Sequence, residues 1–443
     1  MAKNIPFIFL LLTIIVATLS KGSLAGTVFE LIHKDHINLP ETRYELLTQM
    51  LQRGNSNRPG AAPLVAGRYN GSVTGHYFAK IKMGTPAQEL LMDIDTGSDV
   101  TWMNCLHNGK QVKQNPTGFI FKADKSRSFR EIQCGSPTCR TFIDIDKCRS
   151  GRQRTCGFNF RYRDVQMHVV LASETVTLDL KNGKTAQLRD VLVGCSDYSS
   201  DMDGATNGAS GVLGLSYSKL SLRSKTSESF GNKLSYCLLD PLTPIDKSSY
   251  LIFGSYEGVN IRFDQIMQYT YLIQAGSYYG LNIKDACVNG KCNILLNLPT
   301  KPLVFNSKGH GGVVIDTGTL ATLLVEEAYM PIIGALDAFY KDFKITKQGP
   351  FEVCYTKGRN KRFPKAPKLK FVFNDGKEFE PHPESYVIDI DENMSCLGFI
   401  NIGKVSLGIN SVFGIGLQQR FFWELDLKNN KLGFASSNCI VGS

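Results

Sequence analysis

The chain reads as a mostly β protein built from two related halves. Three observations carry this. First, Asp-Thr-Gly followed by a hydroxyl residue occurs twice, as Asp95-Thr96-Gly97-Ser98 and as Asp316-Thr317-Gly318-Thr319. Each copy ends an apolar run, at 90–94 and at 312–315, and each is followed later by an apolar-apolar-Gly segment, Val212-Leu213-Gly214 and Val412-Phe413-Gly414. A motif repeated together with its follower marks an internal duplication. Second, short segments with a two-residue period recur along the chain and are separated by turn clusters, as a protein of many strands requires. Third, residues 68–443 exceed what one hydrophobic core usually supports.

Taken in order, the chain opens with a secretory pattern over residues 1–25. Lys3 supplies a positive start, 5–19 is apolar but short for a membrane span, and Ser23-Leu24-Ala25 ends on a small residue suited to cleavage. Residues 26–67 are compositionally distinct: a strand-like segment at 27–35, a helical pattern at 41–52, and a linker rich in Gly, Asn and Pro at 53–63. This is expected to be a removable N-terminal segment. Two lobes follow, 68–245 and 246–443, divided near a Pro- and Asp-containing stretch at 240–249. Expected strands are 76–82, 89–94, 169–180, 184–193 and 368–373, and 156–162 has the alternation of a hairpin strand. The clearest helix is 326–343, with Tyr329, Ile332, Ile333, Leu336 and Phe339 on one face and Pro331 confined to its first turns.

The repeated motif has a chemical meaning. A strand ends, the chain turns tightly at Gly97 or Gly318, and neighbouring hydroxyls can hold the Asp carboxylate by hydrogen bonds. Two such carboxylates facing each other in a dry cleft cannot both be ionised, so they share one proton and titrate as a unit. One then activates a water as base, and the other donates to a carbonyl. Asp95 and Asp316 are therefore the candidate catalytic pair, supported by Thr96, Gly97, Ser98, Thr317, Gly318 and Thr319, and the chemistry needs neither metal nor cofactor.

Composition bounds the remainder. Twelve cysteines in a chain with a secretory start point to disulfides, because none of their spacings makes a zinc pattern. The net charge of +10 fits a soluble basic protein, and the cluster at 357–362 reads as solvated surface, not a nucleic-acid site. No later segment is long and apolar enough to span a membrane. Asn70-Gly71-Ser72 and Asn393-Met394-Ser395 are glycosylation sequons.

Over nearly its whole length the chain resembles the pepsin-family aspartic endopeptidases, and within them the plant nepenthesin-like branch. The resemblance is carried by Gly84-Thr85-Pro86, DTGSDVTW at 95–102, SETVTL at 173–178, GVLGL at 211–215, LSLRS at 220–224, LSYCL at 234–238, GGVVIDTGT at 311–319 and LDLKNNKLGFA at 425–435. It implies a bilobal pepsin-like fold with the substrate lying across the cleft between lobes, Ser98 and Thr319 bonded to the outer carboxylate oxygens, and a mobile flap whose tyrosine is Tyr162, with Trp102 as its partner. It also implies the pairings Cys105–Cys195, Cys134–Cys156, Cys139–Cys148, Cys237–Cys439, Cys287–Cys292 and Cys354–Cys396.

The chain departs from the family pattern in three places. The flap reads Tyr162-Arg163-Asp164-Val165-Gln166 where the family has Tyr-Gly-Asp-Gly-Ser, Leu320-Ala321 follows the second motif, and only Cys105 remains of the cluster after Trp102. The expected function is a secreted, monomeric aspartic endopeptidase acting on proteins or peptides at acid pH. It would act in the apoplast or cell wall, or in the vacuole, after loss of its N-terminal segment. The competing expectation is a catalytically weak or silent relative that binds a partner such as a cell-wall-degrading enzyme.

Overall fold

The protein is described here from a computed structural model. It describes residues 27–33, 76–111, 120–141, 155–162, 165–180, 184–199, 209–239, 249–257, 259–349, 351–357, 362–407 and 410–439. The secretory segment, the helical pattern at 41–52, Asn70, Cys148, Arg163 and Asp164 lie outside these residues.

The two halves repeat one local architecture. In the first, strand Gln88–Asp95 pairs in parallel with Gly211–Gly214, which pairs antiparallel with Thr101–His107. In the second, Val313–Ile315 pairs in parallel with Ser411–Phe413, which pairs antiparallel with Thr322–Leu324. The follower segments therefore exist to lie beside the motif strands. Val212 faces Trp102, and Val412 faces Leu323, so Leu323 holds in the second half the place of Trp102 in the first.

Close approach is what the follower glycines provide. A Cβ on Gly214 would lie 2.6 Å from the Val100 carbonyl carbon, and one on Gly414 would lie 2.3 Å from the Ala321 oxygen. Both distances are impossible for a side chain without moving backbone.

A sixteen-stranded sheet contributes strands from both halves. The junction is the antiparallel pairing of Lys233–Cys237 with Phe421–Asp426, and the Cys237–Cys439 disulfide reinforces it with a Cα separation of 5.3 Å. Strand Thr27–His33, expected from the sequence, is inserted in the same sheet between Ser249–Phe253 and Tyr77–Met83. The core is continuous across the halves and runs from Ile81, Met92 and Ile94 through Leu213 and Phe253 to Ile315, Phe413 and Trp423. Among the described residues no helix is long and apolar enough to cross a membrane.

Two expectations need correction. The helix spans Glu326–Asp337 and ends before Phe339, which is exposed, while Tyr329, Ile332, Ile333 and Leu336 are buried as the pattern required. Pro331 is its sixth residue, past the first turn, so the helix forgoes the bond that a backbone N–H there would give to the Glu327 carbonyl.

The second correction is to the disulfides. Cys139 pairs with Cys156, at a Cα separation of 5.8 Å, so neither Cys134–Cys156 nor Cys139–Cys148 forms. The reason is local. Ser136 caps the short helix Pro137–Arg140, and this turns Cys139 inward against Cys156 and Leu171 in a small buried cluster. Cys134 is also disulfide-bonded. Cys105–Cys195, Cys287–Cys292 and Cys354–Cys396 form as the resemblance implied.

Gly214→Ala and Gly414→Ala should each lower the unfolding free energy by about 1–3 kcal/mol, the range for overpacking. Urea denaturation of each variant checks this, and equal losses in the two halves are the expected signature of the repeat.

Candidate active site

Both motif strands end at the same seam. Gly97 N and Ser98 Oγ donate to Asp95 Oδ1 and Oδ2 at 2.7 and 2.6 Å. Gly318 N and Thr319 Oγ1 donate to Asp316 Oδ1 and Oδ2 at 2.8 and 2.7 Å. Each carboxylate is thus fixed by the turn that follows it, in the manner the sequence implied, and the two halves match bond for bond.

Reciprocal bonds across the seam hold the halves in register. Thr96 N donates to Thr317 Oγ1 at 3.0 Å, and Thr317 N donates to Thr96 Oγ1 at 2.9 Å. The same hydroxyls donate onward to the carbonyls of Ile315 and Ile94, at 3.3 and 3.1 Å. Each of these two threonine hydroxyls both donates and accepts, as a buried hydroxyl requires.

The carboxylates meet because only glycine stands between them. A Cβ on Gly97 would lie 2.9 Å from Asp316 Oδ1, and one on Gly318 would lie 2.5 Å from Asp95 Oδ1. Asp95 is 5% exposed and Asp316 is 1% exposed. Burial first, and then the charge of Asp95, push the Asp316 carboxyl up to about 7, against bonds from Thr319 and Gly318 that favour its ionised form. The seam therefore holds a proton on Asp316 throughout the acid range.

Residues that carry no sequence signature complete the setting. The Gln418 amide is fully buried; its nitrogen donates to the Asp316 and Phe413 carbonyls, while its oxygen accepts from Tyr236. His76 Nδ1 lies 3.0 Å from Asp93 Oδ2, and each side chain is 1% exposed. Asp93 lies on the same face of its strand as Asp95, two residues away. Its counterpart before Asp316 is Val314, so the two halves differ here. Alternation could have flagged Asp93, a charge in an apolar run; nothing in the sequence couples it to His76.

The flap candidate is a hairpin. Gly157–Tyr162 pairs with Val165–Asp179, and Tyr162 faces Val165. Gln166 is exposed. Trp102 is buried beside Val212 and Gly194. Asn393 is exposed on the turn between Val387–Asp391 and Met394–Leu397.

The profile described as Xylanase inhibitor N-terminal matches residues 77–255, and that described as Xylanase inhibitor C-terminal matches 278–436. Aspartyl protease family protein 2 of Arabidopsis thaliana is 29% identical over 444 residues, covering 94% of this chain and 86% of that protein. Aspartic proteinase nepenthesin-1 of Nepenthes gracilis is 26% identical over 413 residues, covering 90% and 87%. The chain belongs to the plant pepsin-like aspartic protease family. The fold agrees: the crystal structure of Basic 7S globulin from soybean superposes with a TM-score of 0.65 at 16% identity, covering 94% of this chain and 97% of that one.

Thr96→Val should cost about 1–3 kcal/mol, because it leaves the buried Thr317 N–H without an acceptor. Thr96→Ser should recover most of that loss. Chemical denaturation of the two variants beside the wild type measures both.

Proposed function

We propose that this chain is a secreted aspartic endopeptidase that hydrolyses peptide bonds at acid pH through Asp95 and Asp316. The single observation that carries the reading is the pair of buried carboxylates in contact, each held by its own turn, with the proton retained on Asp316. Family membership and relatives named as aspartic proteases support a peptidase role.

The mechanism follows from the charge state. With the shared proton on Asp316, Asp95 takes a proton from a water placed between them. Asp316 donates to the peptide carbonyl as the water attacks it. The bonds from Gly97, Ser98, Gly318 and Thr319 aim both carboxylates without changing partners during the step, so little reorganisation is needed. Residues 1–25 would direct secretion and 26–67 would be removed. Residues 68–245 and 246–443 would then form the two lobes, Asn70 and Asn393 would carry glycans, and Tyr162 would close over the substrate with Trp102 behind it. The competing reading, a silent relative that binds a partner through the same cleft, keeps this geometry and lacks turnover.

Asp95→Asn and Asp316→Asn should each lower kcat on an unfolded protein substrate by about 10²–10⁴-fold, the span of general acid–base catalysis. Full activity in either variant would remove that residue from the chemistry. An inert wild type at acid pH would favour the silent reading.

The pH dependence follows from the raised Asp316. A carboxyl raised to about 7 keeps its proton below that pH and loses it as pH rises through it. Activity should therefore be high in acid, fall as pH rises through about 7, and be unchanged by a chelator. A pH–kcat profile with and without EDTA tests this.

A further inference from the structure

The first half carries a buried titratable pair that the water-activation step leaves idle and the second half lacks. Asp93 and Asp95 lie two residues apart on strand Gln88–Asp95, so they share one face, about 7 Å apart along the strand. The register Phe78↔Asp93 places His76, two residues before Phe78, across from Asp95 on that face. Its Nδ1 lies 3.1 and 3.0 Å from Asp93 Oδ1 and Oδ2, so the imidazole reaches diagonally to both oxygens. The second-half position that matches Asp93 is Val314, in an apolar cluster with Leu323 and Val412.

The charged neighbour of this pair is the dyad. The follower strand Gly211–Gly214, beside Asp93 and Asp95, carries no charge. On Thr101–His107 and the turn before it, His107 Nε2 is 2.7 Å from Glu131 Oε1, and Asp99 Oδ1 accepts from Ser216 Oγ at 2.7 Å. On the strand of His76, Tyr77 donates its hydroxyl to the Leu239 carbonyl, while Lys80 and Lys82 lie beside Glu89 and Asp179. On the N-terminal strand, Glu30 stands at the register of Tyr250 and His33 at that of Tyr77.

An imidazole and a carboxyl that share one proton carry no net charge, whichever of them holds it. A lone carboxylate at Asp93 would instead set a second negative charge beside Asp95. At that spacing, with an effective dielectric constant of about 20, it would move a neighbouring titration by roughly one to two pH units. We propose that His76 is a positioning residue for the dyad: by holding Asp93 in a pair of zero net charge, it keeps a third carboxylate from repelling Asp95, and so sets the pH at which the dyad loses its working proton. The asymmetry also has a direction. A polar pair beside Asp95 favours charge there, and the apolar Val314 behind Asp316 favours the protonated form. The halves thus assign the base's part to one carboxyl and the acid's part to the other. This inference rests on the peptidase reading above.

The test uses the full chain as wild type, His76→Gln, Asp93→Asn and the double variant His76→Gln/Asp93→Asn. Each is read by the pH at which kcat falls to half on its basic side, and by carboxyl-resolved NMR titration of Asp316, which needs no turnover. His76→Gln leaves a carboxylate where a neutral pair stood, and a nearby negative charge makes the dyad's proton harder to lose. Both midpoints should therefore rise by about one pH unit. Asp93→Asn and the double variant lack that carboxylate, and neither should raise them. A packing role alone would lower stability without moving the midpoints in this pattern. Unmoved midpoints in His76→Gln, or an equal rise in the double variant, overturn the proposal. His76→Asn replaces His76→Gln if the latter does not fold. If the wild type cleaves no peptide at any pH, the peptidase reading falls, and the Asp316 titration alone decides the proposal by the same criteria.

Discussion

Two carboxylates in contact at a dry seam cannot both be charged, and much of this structure serves to hold them there. A carboxylate left to itself would turn to water or recruit a cation. Here each is clamped by a backbone N–H and a hydroxyl from its own motif, and each approaches its partner across a glycine. Burial first, and then that approach, raise the Asp316 carboxyl. The gain is a proton stored beside a base, which is the combination that water activation needs. Around the pair, the threonine bonds fix the halves in register, the follower strands fix the backbone behind each Asp, and Gln418 adds a bond behind Asp316.

The duplication explains why so much of this was legible in the sequence. Asp95, Asp316 and their turns are local features, because a strand, a tight turn and a hydroxyl three residues on are all written in four consecutive letters. The follower segments were legible for the same reason, since close strand packing forces a glycine at a fixed place. Most strands were legible through their two-residue period, although Val165–Asp179 and Thr185–Ser199 run further than the alternation suggested, because their mutual pairing sustains them.

What was not legible depends on contacts between distant segments. The nesting of Cys134, Cys139 and Cys156 turns on a four-residue helix whose cap rotates Cys139 inward, and spacing carries no trace of that rotation. The helix that begins at Glu326 stops at Asp337 although apolar residues continue at its period; Phe339 faces outward, while Tyr340 beyond it returns to the core. His76 and Gln418 gain their meaning only from register and packing against residues far along the chain. Each looks ordinary in isolation.

The shared proton is the point on which the account stands, and carboxyl-resolved NMR titration of Asp316 in the wild type and in Asp95→Asn measures it directly. In the wild type Asp316 should titrate near 7. With Asp95 neutralised, its midpoint should fall toward acid, since one repelling charge is gone. It should still remain above an ordinary carboxyl, since burial is the larger cause. A midpoint that is the same in both proteins would show that the two carboxylates do not sense each other, and would contradict the account.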